Sequence, residues 1–293
     1  MTSIADSGIT RAAPPARALV VGAGTMGAGI AQSLLSVNAE VTLVDANPLA
    51  LAAAGGRITE GLQRQWRDET GREQLLAAAR SRLTTAAEIP SRDDLQLAIE
   101  AVPELVDLKR SVLAALDARC PDAVIASNTS SLSIRELSTV FADPSRFVGM
   151  HFFNPVPRSL LIELVVSDAT SEATLTSARQ WSEALGKTAI VVRDSPGFAT
   201  SRLGLALGLE AIRMVEEGVA SPADIDAGMT LGYKHPVGPL RLTDIVGLDV
   251  RLGIAEHLAA TLGPRFDPPA LLRSMVADGR LGQKTGTGFY TWP

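Results

Sequence analysis

Between residues 18 and 192, short runs of β-branched and aliphatic residues alternate with stretches whose apolar positions recur at helical spacing. Strands are predicted at 18–21, 41–44, 83–85, 97–101, 124–127, 147–152, 161–166 and 189–192. Helices are predicted at 25–36, 107–118 and 171–185, and a longer arm, about 47–82, carries two further helical patterns. Apolar strands separated by helices belong to a mostly parallel sheet covered on both faces. After DSPGF (194–198) the alternation stops and helix follows helix. Ser195 before Pro196 has the form of a helix start, with a capping hydroxyl and proline in the first helical position. The expected architecture is α/β: a doubly wound domain over 17–192, an all-helical domain over 193–293, and a disordered tail at 1–16. Helices such as LGLALGLEAI are apolar on more than one face, which leaves a face to pack against a second subunit.

Composition narrows the partners. With 293 residues, 46 % of them hydrophobic, the chain can bury one large core or two unequal ones. A net charge of −5 and scattered basic residues argue against a nucleic-acid surface, which needs a basic stripe to displace counterions. Cys120 is the only cysteine, so no internal disulfide or cysteine-based metal site is expected, and a reducing, cytoplasmic setting is. The opening residues lack the basic start and apolar run of a secretion signal. The most apolar stretch, ALVVGAGTMGAGIAQSLLSV, suits a buried strand and helix better than a membrane span, because of its early glycines and Gln32.

That stretch also carries the first chemistry. Gly22, Gly24 and Gly27 stand in GxGxxG spacing between a predicted strand and the start of a predicted helix, the arrangement that cradles a pyrophosphate on backbone amides. The second strand ends on Asp45 in VTLVDAN, at the distance where a carboxylate accepts the hydroxyls of an adenosine ribose. Asp45 repels a 2′-phosphate, and Ala46 and Asn47 supply no arginine to receive one, so NAD is expected over NADP. The spacing alone leaves FAD open.

A second constellation is HFFNPVPRSLLIELV, 151–165. His151 can serve as a base near neutral pH, and Glu163 interrupts an aliphatic strand where a carboxylate is costly to bury unless paired. His235 lies in a glycine- and proline-rich loop and His257 in an amphipathic helix, and neither competes for that role. Ser130 in SNTSS has two readings, a ligand contact or a cap for the SIREL helix.

Taken together, GAGTMG, LVDAN, IEAVPE, ASNTSSL, HFFNPV, DSPGF, EEGVASPADID, GYKHPVGPLRLTDIVGLD and GQKTGTGFY resemble the 3-hydroxyacyl-CoA dehydrogenase family in its short monofunctional form, over about residues 18–290. The resemblance implies a Rossmann-type NAD domain and a helical domain, a homodimer through the latter, and interconversion of (S)-3-hydroxyacyl-CoA and 3-oxoacyl-CoA. It implies His151 and Glu163 as the general acid/base pair and Ser130 and Asn154 as substrate-orienting side chains. Along the cofactor it implies Gly22, Gly24, Thr25, Met26, Gly27, Asp45, Glu104, Lys109, Asn128 and Lys284.

In the family the arm forms a projecting helical pair that meets the coenzyme, which makes Arg57 and Arg64 the first candidates among four arginines; a solvated helix face is the other reading. One position departs from the pattern. Where the family carries asparagine, in a segment similar to GFxxNR, this chain has Ser201 in GFATSRL. Serine lacks the paired donor and acceptor of the amide, so a direct contact is bridged by water or lost. That keeps two other substrates in view, an acyl-carrier-protein thioester and a free hydroxy acid, and a third reading, a non-catalytic NAD-binding protein.

Overall fold

The computed structural model describes residues 12–293, and the chain divides after Asp194 into two compact units. The first eleven residues of the expected tail lie outside the described residues; residues 12–16 carry no regular element.

The N-terminal unit is one eight-stranded sheet. In chain order its elements are β1 (Arg17–Val21), α1 (Thr25–Ser36), β2 (Glu40–Val44), α2 (Pro48–Gln65), α3 (Arg72–Ser81), β3 (Leu83–Ala86) and β4 (Leu97–Glu100). They continue as α4 (Val106–Arg119), β5 (Val124–Ser127), α5 (Ile134–Leu137), β6 (Phe147–Phe152), β7 (Leu161–Val166), α6 (Glu172–Ala184) and β8 (Thr188–Arg193). All eight predicted strands are present, within two residues at each end. The spatial order is β3-β2-β1-β4-β5-β6-β7-β8, and every neighbouring pair is parallel except β6 and β7. Six residues of β6 in succession are buried, as a strand covered on both faces requires.

The 47–82 segment does form two helices, but it does not project freely. Ala54, Ile58 and Leu62 of α2 and Leu76 and Ala79 of α3 belong to the same core cluster as α1 and the sheet. An amphipathic face must be buried somewhere, and here α1 takes it: the Gln32 side chain lies where a Cβ on Gly61 would stand.

The C-terminal unit comprises α7 (Thr200–Glu216), α8 (Pro222–Ala227), α9 (Pro239–Val246), α10 (Leu248–Leu262) and α11 (Ala270–Ala277) around Leu205, Leu209, Leu240, Leu258 and Leu272. The expected helix start at Ser195 is corrected: 195–199 form a turn, and α7 begins at Thr200. Gly197 and Phe198 have φ of 72° and 49°, which no α-helix accommodates, so the cap-and-proline signal is overridden by the turn that follows it. The chain's GFYTW end is tied down by Asp244, whose carboxylate accepts Phe289 N, Tyr290 N and Trp292 Nε1. No helix among the described residues is long and apolar enough to cross a membrane.

Candidate active site

The strand order reverses at β1, between β2 and β4. Right-handed crossovers send α1 and α4 to opposite faces there, opening a crevice at the carboxyl ends of β1 and β4. The crevice is a cavity of about 720 Å³ whose walls include Gly22, Gly24, Thr25, Met26, Asp45 and Val102. Its three glycines do different work. A Cβ on Gly22, at φ 106°, would stand 2.6 Å from Ala101 O, and one on Gly27 would stand 1.8 Å from Gly22 O. Both are demanded by the protein's own backbone. Among the described residues a Cβ on Gly24 meets nothing within 4 Å and no side chain caps α1, so the space over the helix start suits a ligand.

Asp45 faces the same crevice. Its Oδ2 accepts Ala23 N at 2.8 Å and its Oδ1 accepts Asn47 N at 2.9 Å, which orients the carboxylate while each oxygen keeps a lone pair. Arg57 Nη2 donates to Ala23 O at 2.7 Å, so the Ala23 peptide is gripped on both sides. Arg57 is thus turned to the glycine loop. Arg57 and Arg64 are both exposed on α2.

The antiparallel pairing of β6 with β7 sets His151 directly opposite Glu163. Cross-strand neighbours in such a pair have Cβ atoms about 5 Å apart. His151 Nδ1 and Glu163 Oε2 are 2.7 Å apart, with Glu163 0 % and His151 7 % exposed. The Phe153 ring lies 4.4 Å from the imidazole. A carboxylate at Nδ1 places the ring proton there and leaves Nε2 as the basic nitrogen. Asn128, at the end of β5, receives Phe152 N on its Oδ1 at 2.9 Å and so pins the strand beside His151. Asn154 is exposed on the loop that follows.

Between crevice and pair lies a polar hub. Glu104 Oε1 accepts Thr129 Oγ1, Ser130 N and Ser131 N, and lies 3.4 Å from Ser130 Oγ. Burial works to raise the Glu104 carboxyl, but Lys109 and the hydrogen bonds from Thr129 and Ser130 outweigh it and hold it below its ordinary range. Lys109 was expected along the cofactor. The structure buries it completely: Nζ lies 2.7 Å from Glu100 Oε1 and 3.3 Å from Glu104 Oε2 and also donates to Val102 O. Ser127 Oγ completes the Glu100 carboxylate at 2.6 Å. Lys109 therefore shapes the wall behind the crevice through the two glutamates.

The family of 3-hydroxyacyl-CoA dehydrogenases accounts for both units. The model of its NAD-binding domain matches residues 17–195 and that of its C-terminal domain residues 197–292. The chain belongs to the 3-hydroxyacyl-CoA dehydrogenase family. It is 41 % identical over 276 residues to a probable 3-hydroxybutyryl-CoA dehydrogenase of Bacillus subtilis, covering 94 % of this chain and 96 % of that one. It is 40 % identical over 277 residues to the 3-hydroxybutyryl-CoA dehydrogenase of Mycobacterium tuberculosis, covering 93 % and 97 %. The crystal structure of (S)-3-hydroxybutyryl-CoA dehydrogenase from Ralstonia eutropha superposes with a TM-score of 0.91 at 40 % identity, over 95 % of this chain and 99 % of that chain.

As a member of that family the chain is an NAD-dependent oxidoreductase. The crevice fits NAD: an open helix start for the pyrophosphate and an oriented carboxylate for the ribose. Two implied contacts lie in the helical unit. Ser201 is half-buried in the first turn of α7, and Lys284 Nζ pairs with both oxygens of Asp249 at 2.5 and 2.6 Å.

Two further buried charged residues, Glu100 and Lys187, belong to this framework. Glu100 ends the apolar strand LAIE, and that interruption, like the one at Glu163, was a legible signal. Lys187 had none: it is buried, its Nζ donates to Val156 O and Ser159 O at 2.6 and 2.5 Å, and burial pushes its ammonium down. It braces the loop that carries Asn154.

Proposed function

We propose that the protein interconverts short-chain (S)-3-hydroxyacyl-CoA and 3-oxoacyl-CoA, with His151 as general acid/base and Glu163 as its positioning partner. The buried 2.7 Å contact of His151 Nδ1 with Glu163 Oε2, beside the NAD crevice within one sheet, is the observation that carries this reading. The names of the relatives from Bacillus subtilis, Mycobacterium tuberculosis and Ralstonia eutropha support the substrate class.

In the oxidising direction His151 Nε2 takes the proton of the substrate hydroxyl, and Glu163 stabilises the imidazolium that results. NAD, when bound, supplies the hydride acceptor. In reduction the charged ring returns the proton. Ser130 and Asn154 orient the substrate oxygen atoms, Asn154 by offering donor and acceptor together. Gly22, Gly24, Thr25, Met26 and Gly27 hold the pyrophosphate, and Asp45 the adenosine ribose. Glu104, Asn128 and Lys109 act behind this surface by fixing the Ser130 loop, β6 and the crevice wall. Lys284 is kept as a proposed cofactor contact and Ser201 as a proposed substrate contact, and Arg57 and Arg64, both exposed on α2, as candidates for the coenzyme phosphates. Exposed Leu203, Leu231 and Tyr233 support a homodimer through the helical unit, and the lone buried cysteine suits the cytoplasm.

The test is NADH oxidation with acetoacetyl-CoA. His151→Gln should lower kcat by on the order of 10²–10⁴, the usual worth of a general acid/base, with NADH affinity kept. Glu163→Gln should act in the same direction and alter the pH profile of kcat. Unchanged turnover in His151→Gln would refute the assignment.

A further inference from the structure

The apolar strand β4 ends on an enclosed carboxylate. Glu100 is fully buried, and so is Lys109 of α4, which meets it. Its Oε1 accepts Val102 N and Lys109 Nζ, both at 2.7 Å, and its Oε2 accepts Ser127 Oγ at 2.6 Å and Lys109 Nζ again at 3.0 Å. Two charges taken out of water are costly to hold unless such bonds complete them, and an apolar pair of the same size is often as stable or more so. Stability by itself therefore gives this pair no purpose.

What the pair holds is a join between two parts of the site. Val102 is gripped at both polar groups, its N by Glu100 and its O by Lys109 Nζ at 3.2 Å, and Val102 lines the NAD crevice. The same peptide abuts the glycine turn, since a Cβ on Gly22 would stand 2.6 Å from Ala101 O and 3.0 Å from Val102 N. In the other direction Lys109 Nζ reaches Glu104 Oε2 at 3.3 Å, and Glu104 Oε1 receives Ser130 N at 2.9 Å and Ser131 N at 3.1 Å. Strand register adds a second path. Glu100 stands between Val21 of β1 and Ser127 of β5, and its backbone carbonyl accepts Asn128 N at 2.8 Å. Asn128 is the residue that receives Phe152 N and pins β6 beside His151.

We propose that Glu100 is a positioning residue that joins the cofactor wall to the substrate loop, so that Val102 and Ser130 keep one fixed relation when either ligand binds. This rests on the dehydrogenase reading, with Ser130 at the substrate. Hydride transfer needs its reacting atoms about 3–3.5 Å apart, and a misplacement of about 1 Å costs on the order of 100-fold in rate. Two loops carrying the two ligands hold such a distance only if something stiff connects them. Charge-assisted hydrogen bonds in a dry interior are stiff in this sense, being short and strong. The connection also explains why the residue is a carboxylate. Three donor groups converge on it and need both of its oxygens, whereas a carboxamide offers one oxygen and a donor in place of the other.

The test begins on the whole chain without ligand. Amide hydrogen exchange, followed by NMR, should be at least about tenfold faster in E100Q than in the wild type at Val102, whose charged acceptor is gone. It should also be faster at Ser130, which Glu100 does not touch, and this is the change that a purely local role would not produce. E100Q/K109M removes both buried charges and is the variant that folds even if E100Q does not. It should show the same two changes, no larger than those of E100Q or K109M alone, because all three cut one connection. With ligands, the NADH dissociation constant from fluorescence and KM for acetoacetyl-CoA should each rise about tenfold in E100Q. Faster exchange confined to Val102, with NADH affinity weakened and KM for the thioester kept, would overturn the proposal and leave Glu100 a wall residue only. A lower melting temperature with Ser130 exchange and both constants unchanged would overturn it as well, and so would wild-type exchange at Ser130 in the double variant. Inactivity of the wild type on acetoacetyl-CoA would sink the dehydrogenase reading, whereas unchanged Ser130 exchange in variants of an active enzyme would sink this proposal alone.

Discussion

The crevice at β1 and β4 and the hairpin of β6 and β7 occupy one sheet but are built by opposite means. The crevice is made from side chains that are missing. Gly22 and Gly27 let strand, turn and helix close on one another, and Gly24 leaves an opening that none of the described residues fills. Its recognition elements are backbone amides and one carboxylate held by two of them. The hairpin is made from side chains that are enclosed, with His151 and Glu163 paired across an antiparallel register and Lys187 capping two carbonyls of the connecting loop. A binding surface for a large anionic ligand gains from bare backbone, because approach is what it needs. A proton-transfer pair gains from burial, because a dry site fixes tautomer and orientation.

The contrast can be broken most severely on the hairpin side. Lys187→Met leaves Val156 O and Ser159 O without their donor, and a loss on the order of 2–3 kcal/mol in urea unfolding is expected from two unsatisfied carbonyls. KM for the thioester should rise with it, since the loop carries Asn154, while NADH affinity should hold. On the crevice side Gly24→Ala should do the reverse. Its φ of −68° suits any residue and an added Cβ would meet no atom of the described residues within 4 Å, so stability should be unchanged. NADH dissociation, followed by fluorescence, should weaken about tenfold, roughly 1.4 kcal/mol, because the methyl stands where the pyrophosphate approaches.

The smallest effect is expected at the hub between the two regions. The Glu104 carboxyl is held below its ordinary value of 4.5, so its stabilisation is complete above that pH and is lost as pH falls through the lower folded value. Glu104→Gln should therefore flatten the acid limb of a melting-temperature profile below about pH 4.5. A profile parallel to that of the wild type would show that the Ser130 loop is held by other contacts.

Much of this was legible in the residues, and where it was not the reason is physical. The strands appear where β-branched runs predict them, since a buried strand must be apolar whatever its neighbours. The helix start at Ser195 failed because capping signals are local, while the positive φ at Gly197 and Phe198 belongs to a turn that the signals do not encode. The burial of Lys109 was hidden for a different reason. Its place in DLK fits a surface contact, but Glu100 and Glu104 draw it inward, and only their separate positions in space make that pairing available.

Order of elements, the glycine turn and Asp45 follow from the chain alone, because strand, turn, helix, strand and acid all fall within one contiguous segment whose spacing dictates its geometry. Which strands became neighbours, and in which direction, does not follow from spacing of that kind. The reversal at β7 that sets Glu163 against His151 and the inward turn of Lys109 both depend on contacts between segments distant in sequence. Such contacts are selected by the packing of the whole core, and no local pattern of residues carries that information.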